Sequence, residues 1–537
     1  MPTMRPTTAF RLFARATRAV VAAVAPLVLL AAQNPTPAAP TPAPAPNSPN
    51  VVFLHWNDFH GQFRPQRAIW KLRPGLPADK APLVGGAAAL AGYVQQQRDA
   101  AKATGRQVVV TDAGDWYQGT LEGNESKGLL TVEFLGRLQP DAVVLGNHEY
   151  DFGADNVRRL CKAATFPVLG ANITTGRARE RAPAAFVKPF AVVPVHGLRL
   201  VVLGLITRDT KAVSTGPFGD DDFTDEAAAV RRVLPEAKKQ GDVVVLLTHC
   251  GVEVDRELAR AFPEIPLILG GHSHTGLSEP LREGNTWIVQ THGKGSEVSR
   301  VEAIADAKTK TLRLLRGELV ELDVARTPSD AATTAWFTEA TRELAAHWDT
   351  PIGTLAAPAY EDRGPRSTPA GNLVADLFRS AAKADIGLTN KGGLRTRLTA
   401  GPLTRRTLYE LLPFENTLVS MTLTGQDLRA VLQGALAPDR RPLEIGGASY
   451  TWTERDGARV LLDVTVGGAP LVAEQRYRVA TSSFLARGGD GLSAFARGTE
   501  TTDHGVLLRD VLIAAAERER TLQAPADERI VFVPTAK

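Results

Sequence analysis

The chain has 537 residues, 44% of them hydrophobic and 22% charged, which is a globular composition too long for one ordinary core, so two to four domains are expected. Its 62 Lys plus Arg against 58 Asp plus Glu become 58 against 58 once Arg5, Arg11, Arg15 and Arg18 of the N-terminal leader are set aside. That balance gives no basic surface for nucleic acid, and two cysteines, Cys161 and Cys250, exclude a disulfide scaffold.

From the N-terminus, the four arginines precede the apolar run "AVVAAVAPLVLLAA" (19–32). A positive segment followed by an apolar one reads as a secretory signal over residues 1–32, cleaved near Ala32. The run is about two-thirds of the roughly 20 apolar residues a membrane span needs, and it contains Pro26, so no stable membrane anchor is expected after cleavage. No cysteine follows it to carry a lipid. Residues 33–50, "QNPTPAAPTPAPAPNSPN", read as an extended tether. A periplasmic or secreted protein is the expectation.

From 51 to about 330 short Val/Leu-rich runs recur with helical segments between many of them. They are "VVFLHW" (51–56), "RQVVVTDAGD" (106–115), "DAVVLGN" (141–147), "LRLVVLGLIT" (198–207), "DVVVLLTH" (242–249), "IPLILGGH" (265–272) and "NTWIVQTH" (285–292). Near-continuous apolar runs predict strands covered on both faces, hence an α/β domain over 51–330. "PVHGLRL" predicts a hairpin and so a mixed sheet. Cys161 falls in a predicted helix and Cys250 at a strand end, which reads as two separate buried thiols.

Residues 331–351 follow Pro328 and space Trp336, Phe337, Ala340, Leu344 and Trp348 as one helical face, predicting a connecting helix and hinge. A second, smaller α/β domain is expected over 352–537. Its predicted helices are 368–384 and 424–436, and its predicted strands 418–424, 458–466 and 476–484.

The strand ends carry the chemistry. "HWNDFHG" offers Asp58 and His60, "DAGDWYQGT" Asp115, "GNHEYD" Asn147, "THCG" His249 and "GGHSH" His272 and His274. In open α/β sheets ligands collect at the carboxyl ends of strands, so these tips are expected to meet. Carboxylates, an amide oxygen and imidazoles without a thiolate suit Zn, Mn or similar divalent ions. Seven ligands with one bridging carboxylate suit two ions better than one. His55 and Asn57 are expected to support the first motif from behind, and Glu149 to sit behind the ligands or in the strand-to-helix turn.

The order and content of these motifs resemble the calcineurin-like metallophosphoesterases. In the forms "HWNDFHGQF", "AGDWYQGT", "GNHEYDFG", "THCG" and "GGHSHT" they resemble the 5′-nucleotidase and UDP-sugar hydrolase family, over essentially all of 51–534. The resemblance implies a four-layer α/β/β/α catalytic domain with mixed sheets, joined by a helix to a C-terminal substrate-binding domain. It implies that Asp58, His60, Asp115 and His274 hold one ion and Asp115, Asn147, His249 and His272 the other, with His148, bonded to Asp151, facing the scissile phosphate.

"RSTPAGNL", "TNKGGLR", "LPFEN" and "SFLARGGDG" resemble the family's substrate motifs. They imply Phe414 and Phe484 on the two faces of a nucleobase, Arg366, Asn390 and Arg395 on phosphate or ribose, and Asp490 on ribose hydroxyls. Lys391, Arg487 and Trp56 depart from the family pattern, the first two adding positive charge near the expected pocket. The implied activity is a secreted 5′-nucleotidase acting on nucleotide monoesters, UDP-sugars or nucleoside di- and triphosphates. A 2′,3′-cyclic nucleotide phosphodiesterase and an inactive nucleotide-binding protein are the alternatives.

Overall fold

The computed structural model describes residues 48–534 except 69–70, 72–79, 178–179, 361–363 and 439, so the expected leader and all but the end of the tether lie outside the described residues. Two six-stranded sheets form the first half. One runs Thr311–Glu321, Glu297–Asp306, Val51–Trp56, Gln107–Asp112, Ala142–Val144, Val168–Leu169; the other runs Leu281–Glu283, Thr286–Val289, Leu267–Leu269, Val243–His249, Leu198–Ile206, Phe190–Val195.

The strand alternation explains the layering. Val51 and Phe53 enter a core between the sheets with Val109, Val144, Leu200, Val202, Val245 and Leu267. Val52, Leu54 and Trp56 enter a different core with Leu90, Leu135 and Val157, which come from helices Ala87–Ala103, Leu129–Leu138 and Ala154–Ala163. Helices Glu226–Gln240 and Val252–Ala261 cover the other sheet through Val230, Leu234 and Leu258. The result is the four-layer α/β/β/α arrangement. Each fully buried Leu, Val or Phe contributes about 1.5–3 kcal/mol of transfer free energy to it.

Both sheets are mixed. Val51–Trp56, Gln107–Asp112 and Ala142–Val144 pair in parallel, as do Leu198–Ile206, Val243–His249 and Leu267–Leu269. The hairpin expected at "PVHGLRL" forms, with Val195 opposite Leu198.

The expected single connecting helix is two, Ala331–Ala340 and Arg342–Trp348, parted at Thr341. Its apolar face has two partners rather than one. Phe337 stacks on Phe63 with centroids 5.0 Å apart and Trp336 on Phe134 at 6.3 Å, in the first half, whereas Trp348 meets Tyr409 edge-on at 5.4 Å, in the second.

The second half centres on a five-stranded sheet, Glu444–Gly446, Ile386–Thr389, Arg476–Ser482, Thr417–Thr424, Thr499–Leu507, with a three-stranded and a four-stranded sheet beside it. Helices Pro369–Ala381 and Leu508–Glu519 bury Phe378 and Leu512 in one of its cores, and Gly425–Gly434 buries Leu428 and Val431 in the other. Cys161 and Cys250 are unpaired thiols.

Candidate active site

The ligand-type side chains from the strand tips gather at one edge of the two sheets. Asp58 and His60 follow Val51–Trp56, Asp115 follows Gln107–Asp112, Asn147 follows Ala142–Val144, His249 ends Val243–His249, and His272 and His274 follow Leu267–Leu269. The backbone turns sharply there: φ is 53° at Asp58, 51° at His60, 54° at Asp115, 78° at His272 and 53° at His274. Few side chains adopt that region, Asp and His among the more tolerant, and such strain persists where the surroundings over-determine it. A Cβ on Gly146 would lie 2.2 Å from Asp115 Oδ1, so glycine is what lets that tip approach its neighbour.

Two triads result, Asp58, His60 and His274, and Asp115, His249 and His272, each with its ligand atoms within 4.8 Å of one another. Asp115 lies between them, its Oδ2 3.3 Å from His249 Nε2 and 3.8 Å from His60 Nε2. Asn147 donates from Nδ2 to Ser214 Oγ at 3.2 Å, which leaves its Oδ1 3.1 Å from His249 Nε2.

These groups fit divalent cations. His60 Nδ1 donates to the Gln118 carbonyl at 2.5 Å and His249 Nδ1 to the Ala113 carbonyl at 2.6 Å, so each ring turns its Nε2 inward as the atom that would meet a cation. Asp58 Oδ2 accepts from Asn57 Nδ2 at 2.6 Å and His272 N at 2.9 Å, but its Oδ1 is buried without a hydrogen-bond partner. That oxygen lies 3.0 Å from His274 Nε2 and 3.8 Å from His60 Nε2, a donor set that a cation satisfies. Burial, with the charge of Arg395, holds the His60 imidazole well below its ordinary value, and burial with the His249 charge lowers His272 to about 4. Burial also works against a charged His249, yet the Asp115 and Asp58 carboxylates lift it to about 10. The carboxylates therefore demand positive charge at this point.

His148 sits above the second triad, its Nε2 3.9 Å from Asp115 Oδ2. Its Nδ1 donates to Asp151 Oδ2 at 2.7 Å, and Asp151 Oδ1 accepts from Thr215 N at 3.1 Å. Burial opposes the imidazolium, but Asp151 and Asp115 outweigh it and raise the pKa. Glu149 proves to act in both expected ways: it caps the turn at Gly146 N (2.7 Å) and braces the neighbouring tip at Asp115 N (3.0 Å) and Trp116 N (2.8 Å). His55 bonds Thr111 Oγ1 at 3.0 Å and the Gly270 carbonyl at 2.9 Å, behind the ligands.

A cavity of about 160 Å³ opens beside His148 and Asp151, and Asn390, Arg395, Phe414, Phe484 and Asp490 line it from the second half. The Phe414 ring is 5.9 Å from His148, Arg395 Cζ is 5.7 Å from the Phe414 centroid, and Arg395 Nη2 donates to His60 Nε2 at 3.2 Å. Asn390 Nδ2 donates to Asp490 Oδ2 at 2.7 Å. Asn416, Val213 and Thr215 also line the cavity without having been expected there. Asn416 stands two residues after Phe414 in "LPFEN", a signal within reach, whereas Thr215 arrives from a loop with no motif.

Three expectations about positive charge need correction. Arg366 does not line this cavity; it is exposed and ion-paired to Glu528 at 2.6 Å. Lys391 brings no unneutralised charge, because its buried Nζ donates to Glu444 Oε1 and to the Arg366 carbonyl, both at 2.6 Å. Arg487 is exposed and also absent from the lining.

Comparison with known proteins follows the same division of the chain. The sequence pattern of calcineurin-like phosphoesterases matches residues 51–276, and that of the 5′-nucleotidase C-terminal domain matches 351–497. Protein UshA of Yersinia enterocolitica is 27% identical over 531 residues, covering 88% of this chain and 92% of that one. Endonuclease YhcR of Bacillus subtilis is 26% identical over 465 residues, 81% of this chain, and the chain spans 37% of that protein's length. The crystal structure of a 5′-nucleotidase precursor from Thermus thermophilus matches with a TM-score of 0.80 at 29% identity, over 90% of this chain and 99% of that one.

Proposed function

We propose a nucleotide phosphohydrolase: the chain belongs to the 5′-nucleotidase family, a calcineurin-like phosphoesterase domain followed by a 5′-nucleotidase C-terminal domain, and is a metal-dependent phosphoester hydrolase. Its substrates are nucleoside 5′-monophosphates, with UDP-sugars and nucleoside di- and triphosphates as further members of the class. One observation carries the reading: His148, beside the ligand triads, and the aromatic pair Phe414 and Phe484 open on the same cavity.

Asp58, His60, Asp115 and His274 would hold one divalent ion, Zn, Mn or similar, and Asp115, Asn147, His249 and His272 the other. Bound there, the ions supply Lewis acidity, neutralising phosphate charge and lowering the pKa of a water for in-line attack on phosphorus. The protein's own groups do the rest. Asp151 takes the Nδ1 proton of His148 as a hydrogen bond and favours the imidazolium, so Nε2–H faces the reacting group. That proton stabilises a phosphoryl oxygen and passes to the leaving 5′-oxygen as the P–O bond breaks. Arg395 adds a guanidinium fork for the phosphoryl oxygens.

Phe414 and Phe484 receive the base, and Asp490 with Asn390 receives the ribose diol. Contacts such as Lys294 Nζ to the Arg395 carbonyl (2.7 Å) and Asn124 Nδ2 to the Pro413 carbonyl (2.9 Å) join the halves around the substrate. Opening about the 331–351 linker admits the nucleotide and releases products. Residues 1–32 direct export and are removed, giving a periplasmic or secreted enzyme. No helix of the described residues is long and apolar enough to cross a membrane.

The test is phosphate release by residues 33–537 from AMP, UDP-glucose, ATP and 2′,3′-cyclic AMP, with Mn, Zn or EDTA, the diesters read through a coupled phosphatase. AMP turnover that EDTA abolishes supports the reading. Activity confined to the cyclic diester overturns it in favour of a phosphodiesterase.

A further inference from the structure

The cavity holding Phe414 and Phe484 has a neighbour that shares part of its wall. Asn390, Gly392 and Asp490 also line a second cavity of about 480 Å³, whose lining includes Arg440 and Arg441. Lys391 lines it as well, but its charge is committed to Glu444; from the first half come the Asp209 carboxylate and the edge of His272.

Arg440 is held in place. Its Nη1 donates to the Gly434 carbonyl at 3.2 Å and its own carbonyl accepts from Arg459 Nη1 at 3.1 Å. A Cβ on Gly491 would fall 2.2 Å from Arg440 Nη2, so the guanidinium lies directly against the Asp490–Gly491 turn. Burial raises the Asp490 carboxyl above its ordinary value, against the Asn390 hydrogen bond and the charges of Arg441 and Arg440, which favour its ionised form.

The chemistry of the two ends differs. A carboxylate bonded to a side-chain amide, as in Asp490 and Asn390, suits the vicinal hydroxyls of a sugar. Guanidinium groups suit phosphate oxygens, which they bind in pairs. Arginines immediately beyond a diol-binding carboxylate are therefore placed for an anion carried by one of those hydroxyls.

We infer that Arg440 and Arg441 form a subsite for a phosphate esterified to the 2′- or 3′-oxygen of the ribose, which makes nucleoside bisphosphates the favoured substrates. The reaction is unchanged: water cleaves the 5′ P–O bond at the His148 end, while the second phosphate is bound and retained. This rests on the nucleotidase reading above.

The test compares kcat/KM for 5′-phosphate release from AMP, adenosine 3′,5′-bisphosphate and adenosine 2′,5′-bisphosphate, with products resolved by chromatography, in the wild type and in R440A/R441A. One bisphosphate is expected to exceed AMP by tenfold or more, and the double substitution to reduce that ratio at least tenfold. The ratio is internal to each protein, so a general loss of activity does not mimic the effect. AMP cleavage with no preference for either bisphosphate overturns the subsite and leaves the nucleotidase reading standing, as does a preference that survives R440A/R441A. Cleavage of none of the three overturns the nucleotidase reading itself. In the wild type alone, adenosine 3′-phosphate or adenosine 2′-phosphate is expected to inhibit AMP hydrolysis at least tenfold more tightly than adenosine; equal inhibition overturns the subsite.

Discussion

The two halves of the molecule build their parts of the site in different ways. In the first half Asp58, His60, Asp115, Asn147 and His249 are buried, and partners behind them such as Gln118, Ala113, Asn57 and Glu149 fix their orientation. In the second half Asn390, Arg395, Phe414 and Phe484 are half-buried and Asp490 is exposed, all of them set on loops or short turns at the ends of elements. Under the proposed function, the difference teaches that the reacting centre would be preorganised within one domain, while recognition would be assembled when the halves meet. Damage to the ligand triads should then affect every phosphoester alike, damage to His148 should follow how much the leaving group needs a proton, and damage to the second half should follow how the nucleotide is recognised.

The strongest way to break this comparison is Asp115→Asn. Asp115 lies between the triads, so the substitution is expected to lower turnover of nucleotides and of p-nitrophenyl phosphate alike, by about 10³-fold or more. Elemental analysis of the purified variant should show fewer than two ions per chain. A variant that keeps both ions and its activity would remove Asp115 from the centre.

His148→Ala comes next, with an expected loss of about 10²–10⁴-fold in kcat and an unchanged metal content. The loss should be smaller for p-nitrophenyl phosphate than for AMP, because nitrophenolate leaves without a proton. Equal losses on both would confine His148 to stabilising phosphoryl oxygens.

In the second half, Lys391→Met sharpens the comparison through stability. The substitution strands the buried Glu444 carboxylate, and breaking such a pair costs about 3–5 kcal/mol. Urea unfolding should show that loss, and K391M/E444Q should recover much of it, because the partner charge is gone while an amide oxygen still accepts from Thr368. An unaltered midpoint in K391M would mean that Glu444 is already protonated, the direction in which its burial pushes it.

How much was legible in the sequence follows the same division. The apolar runs of the first half ended in ligands two residues apart, Asp58 with His60 and His272 with His274, so strands and site appear together in short windows. The long hairpin Glu297–Asp306 with Thr311–Glu321 escaped notice because Ala and charged residues dilute its alternation and a bulge between Glu302 and Ala303 interrupts it. The break at Thr341 was hidden because both helices carry apolar residues in a continuous helical phase, although they serve different domains. Two of the three misreadings of charge in the second half, Lys391 and Arg366, share one cause. Lys391 is neutralised by Glu444 and Arg366 by Glu528, partners 53 and 162 residues away that no local motif reveals.

Phe414 and Phe484 give the smallest and most discriminating effect. Removing either ring takes away one stacking face, worth about 1–3 kcal/mol, which is about 5- to 150-fold in KM for AMP. Because neither ring belongs to the ligand triads, kcat and the hydrolysis of p-nitrophenyl phosphate should change far less. The Phe414 ring also lies 5.9 Å from His148, whereas Phe484 packs against the Gly488–Gly489 turn, with a Cβ on Gly489 only 2.5 Å from its ring. Phe414→Ala is therefore expected to carry a modest kcat loss that Phe484→Ala does not, measured under saturating AMP. Equal kcat losses in both would show that recognition and chemistry are less separable than the burial of the two halves implies.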